Sequence, residues 1–391
     1  MICFFNPDND LALANFGTNY TPPASALKMA EDLAMLPLWY AADGSKILSK
    51  KRPDDLQYYL WFKYTFSATF SFLKFDKLPY FPSEEVSPWG WNPALRNRLL
   101  AAGMNAKILP DAAYLELLRD YSNRKHAVTM LRDLLAGSDR FCGESHFFTT
   151  AEDVLDFLNA RPGDKILKMP NSGSGKGLVW VLRAITDKQT DWVKRVLKTQ
   201  GGIVAEPVWN KVQDFAMEFR MSNSAISFAG FSLFSSASSG AYSGNALMSN
   251  KAIETLLSGY VGKNVLGQLE NSLMDKLPAY FPGYTGYLGV DMMICHTAEG
   301  YSIHPCVEIN MRMNMGMVSR IFFNRFVDKD SHGDFRIEYF KEEAGALLFV
   351  ERQKKKKPLL VKDHRIVSGF MALHPVNSST RYLAYAELKK R

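Results

Sequence analysis

At 391 residues, with 47% hydrophobic and 22% charged side chains, the chain has the composition of an ordinary soluble globular protein. That excludes a disordered, collagen-like or coiled-coil chain. The net charge of +7 sits in three runs, Arg352–Lys357, Lys50–Arg52 and Lys389–Arg391, and the rest of the chain carries −4. Runs this short read as solvated turns or tails and argue against a nucleic-acid partner. No stretch of about 18 uncharged apolar residues appears, so no membrane partner is expected. Met1-Ile2-Cys3-Phe4-Phe5 has no basic leader and meets Asn6-Pro7-Asp8 too early for a signal peptide, so a cytoplasmic protein is expected. Cys3, Cys142, Cys295 and Cys306 form no CxxC pair or zinc spacing with the histidines, which predicts reduced core thiols.

In chain order, Ile2 to Phe5 reads as a short strand, followed by the polar loop Asn6-Pro7-Asp8-Asn9-Asp10 and a helix from Leu11. Asp8, Asn9 and Asp10 read first as helix caps; the alternative is a ligand loop after the first strand of an α/β sheet. Tyr58 to Trp91 holds 13 aromatics in 34 residues, more in keeping with a lobe core or pocket wall than with base stacking, since few basic residues interleave them. A helix from about Ala94 to Ala102 closes at Gly103. Helices are predicted over Ser122–Leu135, from Thr150 to Leu158 and over Asp187–Thr199. Strands are predicted over Lys165–Met169, Val179–Leu182, Ile203–Val208, Phe215–Met221 and Ile226–Phe234. Ser235–Asn250 is small and polar and reads as a surface loop. A helix over Lys251–Leu277 precedes a β-hairpin of Tyr287–Ile294 and Tyr301–Ile309, and the tail from Arg365 to Leu388 is strand-like.

Three features carry chemistry. The hairpin tip Pro170-Asn171-Ser172-Gly173-Ser174-Gly175-Lys176-Gly177 lets backbone N–H groups approach phosphate, with Lys168 as a point charge on the incoming strand. It is not a Walker A loop, because Pro170 and Gly177 stand where Gly and Ser/Thr are needed. The strand Ile203-Val204-Ala205-Glu206-Pro207-Val208-Trp209 carries one carboxylate able to accept from an adenine amine, or else an exposed edge residue, and Asp214 lies within reach of a ribose hydroxyl. Finally, Asp291, Glu308 and Asn310 are polar on otherwise apolar strands. Period two puts Glu308 and Asn310 on one face. A turn centred near Ala298 sets Asp291 opposite Cys306 and diagonal to Glu308, which makes three hard oxygen donors suited to Mg2+.

The order of these features resembles the ATP-grasp superfamily of carboxylate ligases over about residues 120–325. The resemblance implies an α/β fold, built of α+β lobes, in which an amino-terminal α/β lobe precedes two antiparallel-sheet lobes that sandwich the nucleotide. The divisions it implies are 1–120, 121–208 with the Gly-rich loop, 209–345 with the metal site, and 346–391 as a basic, β-rich extension. Lys125 looks like the family's first lysine, with Arg124 beside it, and Lys168 like the second. Ser172, Gly173, Ser174, Gly175 and Lys176 resemble the phosphate loop, Glu206, Pro207, Val208 and Trp209 the adenine hinge, and Asp214 the ribose carboxylate. Asp291, Glu308 and Asn310 match the metal ligands, and Arg312 a catalytic arginine. Met311 and Asp214 depart from the commoner residues.

What this implies is an ATP-dependent ligase using one or two Mg2+ ions, or Mn2+. It would activate a small-molecule or peptide carboxylate as an acyl phosphate for attack by an amine or thiol. Lys168, Arg312 and Arg220 would serve the transition states, and the Gly-rich hairpin and Ser235–Asn250 would serve as lids. Arg220 reads equally well as an outward charge. Acceptor contacts are expected from Asn6, Asp8, Asp10, the Trp89-Gly90-Trp91 turn, Arg220 and Tyr242. A small-molecule kinase on the same site and a non-catalytic ATP-binding protein are the other readings. Oligomeric state is not encoded in any of these signals.

Overall fold

The computed structural model describes residues 1–49, 53–173, 177–222, 225–236 and 242–390. The chain forms two compact units. One comprises Met1–Leu117, Ser243–Asn250 and Arg312–Arg391, the other Leu118–Tyr242 and Lys251–Met311.

In the first unit, Ile2–Phe4 is the inner strand of a parallel sheet, with Lys46–Leu48 on one side and Val86–Pro88 on the other; Ser71–Leu73 completes it. Ile2, Leu78 and Leu99 are fully buried beneath it, each apolar side chain contributing about 1.5–3 kcal/mol. The aromatic-rich stretch supplies Phe62 and Phe66, which pack edge-to-face on Trp39 together with Phe322 and Phe326 from the helix Met315–Phe326. The carboxy-terminal strands Arg365–Ala372 and Tyr382–Lys390 pair with each other, and the latter pairs with Ser331–Tyr339. Trp39 Nε1 donates to the Leu373 carbonyl at 2.6 Å, and the Asp32 carboxylate accepts from the backbone N–H of Arg381 and Tyr382. Residues 346–391 therefore belong with 1–117, and the division expected at 345/346 does not coincide with a boundary between units. Pairings across more than 300 residues leave no local signal.

The second unit holds two antiparallel sheets. His146–Phe148, Ile203–Pro207, Lys165–Lys168 and Leu178–Val181 form one, with Leu167, Ile203, Ala205 and Val181 packed against the helices Ala151–Ala160 and Asp187–Gln200. Thr150 caps the first helix, accepting from Asp153 N, and Thr186 makes a capping box with Gln189 on the second. The other sheet runs Gly300–Asn310, Gly286–Thr297, Lys211–Ser222, Ala225–Ser236. Phe215, Met217, Phe219 and Met221 alternate onto one buried face with Leu288, Val290, Met292 and Ile294. Period two sends Asp214, Glu218, Arg220 and Asp291 to the other face.

Two expected elements are corrected. Residues 244–247, placed in the Ser235–Asn250 loop, pair with Ser331–Tyr339. Their small side chains hide a strand whose backbone runs close to its neighbour. The single helix expected over Lys251–Leu277 is two, Asn250–Val261 and Lys263–Tyr280, broken at Gly262 where φ is +83°. Residues 237–241 of the proposed lid lie outside the described residues. No helix of the described residues is long and apolar enough to cross a membrane. The four cysteines are free thiols; Cys3, Cys295 and Cys306 are buried and Cys142 partly so. The basic run from Arg352 to Lys356 ends the helix Gly345–Lys356, where cations complement the helix dipole.

Candidate nucleotide and metal site

The hairpin that carries Asp291 and Glu308 has a different register from the one its turn implies. From Thr297↔Gly300 to Met293↔His304 the pairing is regular, and it then shifts so that Asp291 faces Glu308 and Gly289 faces Asn310. Pro305, which has no N–H to give a ladder, lies among the residues bulged out between those registers, as proline in a strand usually must. Asp291 therefore stands opposite Glu308 rather than Cys306, and Asn310 Nδ2 donates to Asp291 Oδ2 at 3.0 Å. Two carboxylates and an amide meet on one sheet face. Among the described residues no group of three or more His, Cys, Asp and Glu side chains is placed to hold an ion. A hard cation here would take its third protein oxygen from Asn310, a donor set that fits Mg2+.

Glu308 Oε1 accepts from Arg124 Nη2 at 2.7 Å. Arg124, at the start of the helix Lys125–Leu135, is 5% exposed, and its Nη1 also donates to the Met169 carbonyl and Ser172 Oγ, both at 2.6 Å. Lys125, the expected first cation, is half-exposed and turned onto the Asp120 carboxylate. Consecutive helical residues point about 100° apart, so a shift of one position decides which cation enters the site. Arg124 is the one that does.

Lys168 ends its strand two residues beyond Ile166, the register partner of Glu206, so the two side chains are diagonal neighbours on the face away from the helices. Lys168 Nζ lies 2.6 Å from Glu206 Oε2, with both side chains under a tenth exposed. Ser145 Oγ donates to Glu206 Oε1 at 2.9 Å, so both carboxylate oxygens, expected to meet an adenine amine, have partners within the protein. Pro207 pairs with Lys165, Val208 N donates to the Asp164 carbonyl at 2.9 Å, and Trp209 Nε1 is buried without a partner. His304 comes close to the Trp209 ring, at 6.3 Å between centroids. It is fully buried, neither ring nitrogen has a partner, and burial lowers its pKa to about 4. Sequence reasoning passed it over because one histidine in an apolar strand carries no pattern.

Asp214 Oδ2 accepts from Lys211 at 2.6 Å and from Ser236 Oγ at 3.2 Å. Arg220 is exposed, its guanidinium 5.7 Å from the centre of the Tyr287 ring. Glu218, also passed over, is 1% exposed and faces Gly289 and Gly230 across the sheet. The alternation Asp214, Ala216, Glu218, Arg220 was the signal that could have found it, and Glu218 helps hold the Tyr242 hydroxyl protonated behind the larger effect of burial. Ser172 stands beside Arg124 and Gly173 follows it, buried, while Ser174, Gly175 and Lys176 lie outside the described residues.

Within the first unit, Arg312 forms a two-pronged pair with Asp10, Nε to Oδ1 and Nη2 to Oδ2, both at 2.5 Å. Asn6 Nδ2 donates to the Gly90 carbonyl at 2.9 Å, and Asn92 Nδ2 to Asn9 Oδ1 at 3.0 Å. A Cβ on Gly90 would stand 2.3 Å from the Asn9 amide nitrogen, so the close approach of these loops requires glycine. Asp8 heads the helix Asn9–Asn15 without capping it, and burial raises its carboxyl pKa.

No protein-family model matches the chain, and no curated protein does. Among solved structures it is similar to the biotin carboxylase of Campylobacter jejuni in complex with βγ-ATP, at a TM-score of 0.53 and 11% identity over 100% of this chain and 87% of that one. It is similar also to the biotin carboxylase domain of the Hydrogenobacter thermophilus 2-oxoglutarate carboxylase with MgADP and bicarbonate (TM-score 0.50, 10% identity, 100% and 86% covered). A third is the ADP complex of an N5-carboxyaminoimidazole ribonucleotide synthetase (TM-score 0.50, 12% identity, 100% and 92% covered). The fold is therefore the mixed α/β fold of the ATP-grasp proteins, as the order of motifs implied.

Proposed function

We propose that the protein is an ATP- and Mg2+-dependent ligase that joins a small-molecule carboxylate to an amine or thiol, acting in the cytoplasm. The observation that carries this reading is the meeting of Asp291, Glu308 and Asn310 on one sheet face with the buried cation Arg124, which also holds the glycine-rich loop. ATP bound between the loop and this face would direct its phosphates toward Arg124 and Lys168. One or two Mg2+ ions, or Mn2+, held by Asp291, Glu308 and Asn310 would neutralise phosphate charge. Lys168 is a point charge for the transferring phosphoryl group, and Glu206 orients it.

The chemistry follows from charge. A carboxylate oxygen of the substrate attacks the γ-phosphorus, the bond from that phosphorus to the bridging β–γ oxygen breaks, and ADP leaves with an acyl phosphate formed. The amine or thiol then adds to the acyl carbon, its proton is lost, and inorganic phosphate departs. Arg312 is the residue assigned to the oxyanion of that second step, with Asp10 fixing its guanidinium; Arg220 is assigned to substrate charge. Incubation with ATP and pooled carboxylate and amine candidates tests the reading. Release of ADP and phosphate with a condensed product supports it. A phosphorylated product without free phosphate replaces it with a small-molecule kinase.

A further inference from the structure

Arg124 joins the loop at Met169 to Ser172 with Glu308, two features that the nucleotide and the metal would have to touch. Its backbone N–H donates to the Pro170 carbonyl at 2.9 Å. Its Nη1 holds Met169 and Ser172 at the base of the loop, its Nη2 holds Glu308, and its Nε is buried with no partner. One guanidinium thus bridges the phosphate loop and the carboxylate assigned to the metal.

Resting on the nucleotide and metal reading above, we propose that Arg124 is a positioning residue that couples the two ligands. Without nucleotide it occupies Glu308 Oε1 and holds the loop against the sheet. A phosphate draws the guanidinium away and releases Glu308 to a divalent cation. The physical grounds are competition and charge. A guanidinium 2.7 Å from Oε1 takes the oxygen a cation needs, and two positive centres sharing it repel. A phosphate offers charge-assisted acceptance on two prongs at once, whereas the present partners give one charged carboxylate oxygen and two neutral oxygens. The orphaned Nε is a donor already desolvated for that exchange. Metal affinity in the nucleotide-free protein is then reduced by the fraction of molecules with Glu308 released, about tenfold if one molecule in ten is open.

The test is Mn2+ titration of the full chain followed by electron paramagnetic resonance, without nucleotide and with a slowly hydrolysed ATP analogue. Wild type is compared with Arg124→Ala and Arg124→Lys. The lysine variant keeps the positive charge and loses the fork. Both variants are expected to bind Mn2+ about tenfold more tightly than wild type without nucleotide, and the analogue to raise affinity more in wild type than in either. If Arg124→Lys binds as wild type does, with or without a gain in Arg124→Ala, the coupling is refuted and the nucleotide reading stands. If wild type takes no Mn2+ even with the analogue, the metal reading falls and the coupling with it.

Discussion

Two arginine–carboxylate pairs, one in each unit, use the same chemistry to different ends. Arg312 and Asp10 meet prong to prong, both carboxylate oxygens engaged at 2.5 Å, and Arg312 Nη1 also donates to the Met313 carbonyl at 3.0 Å. Arg124 instead divides itself among a carbonyl, a hydroxyl and one oxygen of Glu308. A two-pronged pair is geometrically closed and resists exchange. A guanidinium divided among three separate acceptors, with Nε unpartnered, has no two-pronged partner to hold it and is arranged to be re-partnered. The contrast separates a fastening from a contact built to yield, and substitutions at each should separate stability from ligand response.

The largest effect is expected at a third pair, more deeply buried than either. Lys168→Ala leaves the Glu206 carboxylate, 5% exposed, without its cation, and should cost about 3–5 kcal/mol in urea unfolding. Lys168→Met with Glu206→Leu should recover most of that loss while leaving nucleotide binding abolished. Recovery of binding as well would remove Lys168 from the site.

Next in size is a pH effect beside that pair. Burial keeps His304 neutral in the folded protein, its pKa lowered to about 4 from 6.5, whereas the unfolded chain takes up a proton below about 6.5. Between those values the unfolded state binds more protons, so stability rises with pH, by at most about 1.4 kcal/mol per unit, and is lost as pH falls. His304→Leu should flatten that part of the stability–pH curve. An unchanged slope would place the titration elsewhere.

Asp10→Asn breaks the closed pair and should cost about 2 kcal/mol, with nucleotide affinity unchanged. The smallest change is expected for Glu308→Gln, whose carboxylate is 30% exposed. Its cost should be under about 1 kcal/mol, read by thermal unfolding, while Mn2+ affinity falls. If Glu308→Gln cost more than Asp10→Asn, the distinction between fastening and exchangeable contact would be lost.

How far each region could be read from its residues follows the same division between local and distant physics. The sheet around Phe215–Met221 was legible because alternation alone sorts Phe215, Met217, Phe219 and Met221 from Asp214, Glu218 and Arg220. The helix begun by Thr150 was legible from its cap, and the one from Asp187 from its amphipathic pattern, while the Thr186 capping box was not read from the sequence. The hairpin bearing Asp291 and Glu308 was placed correctly, but not its register, since a bulge at Pro305 is a backbone choice that two strand patterns do not reveal. Lys125 drew the first-cation assignment by residue type, and only the helix's rotation turns it to Asp120 and Arg124 inward. The strand at 244–247, whose partner lies some 90 residues on, and the joining of residues 346–391 to the amino-terminal unit, across more than 300, rest on pairings for which no window of sequence carries a signal.

On the function proposed above, Arg124, Asp291, Glu308 and Asn310 take nucleotide and metal together. Isothermal titration with a slowly hydrolysed ATP analogue and Mg2+ tests it most directly, comparing wild type with a Glu308→Gln/Asn310→Ala double variant. Micromolar binding that requires Mg2+ in wild type, and that loses its Mg2+ dependence in the double variant, is the predicted result. No binding, or binding whose Mg2+ dependence survives the loss of both ligands, would contradict it.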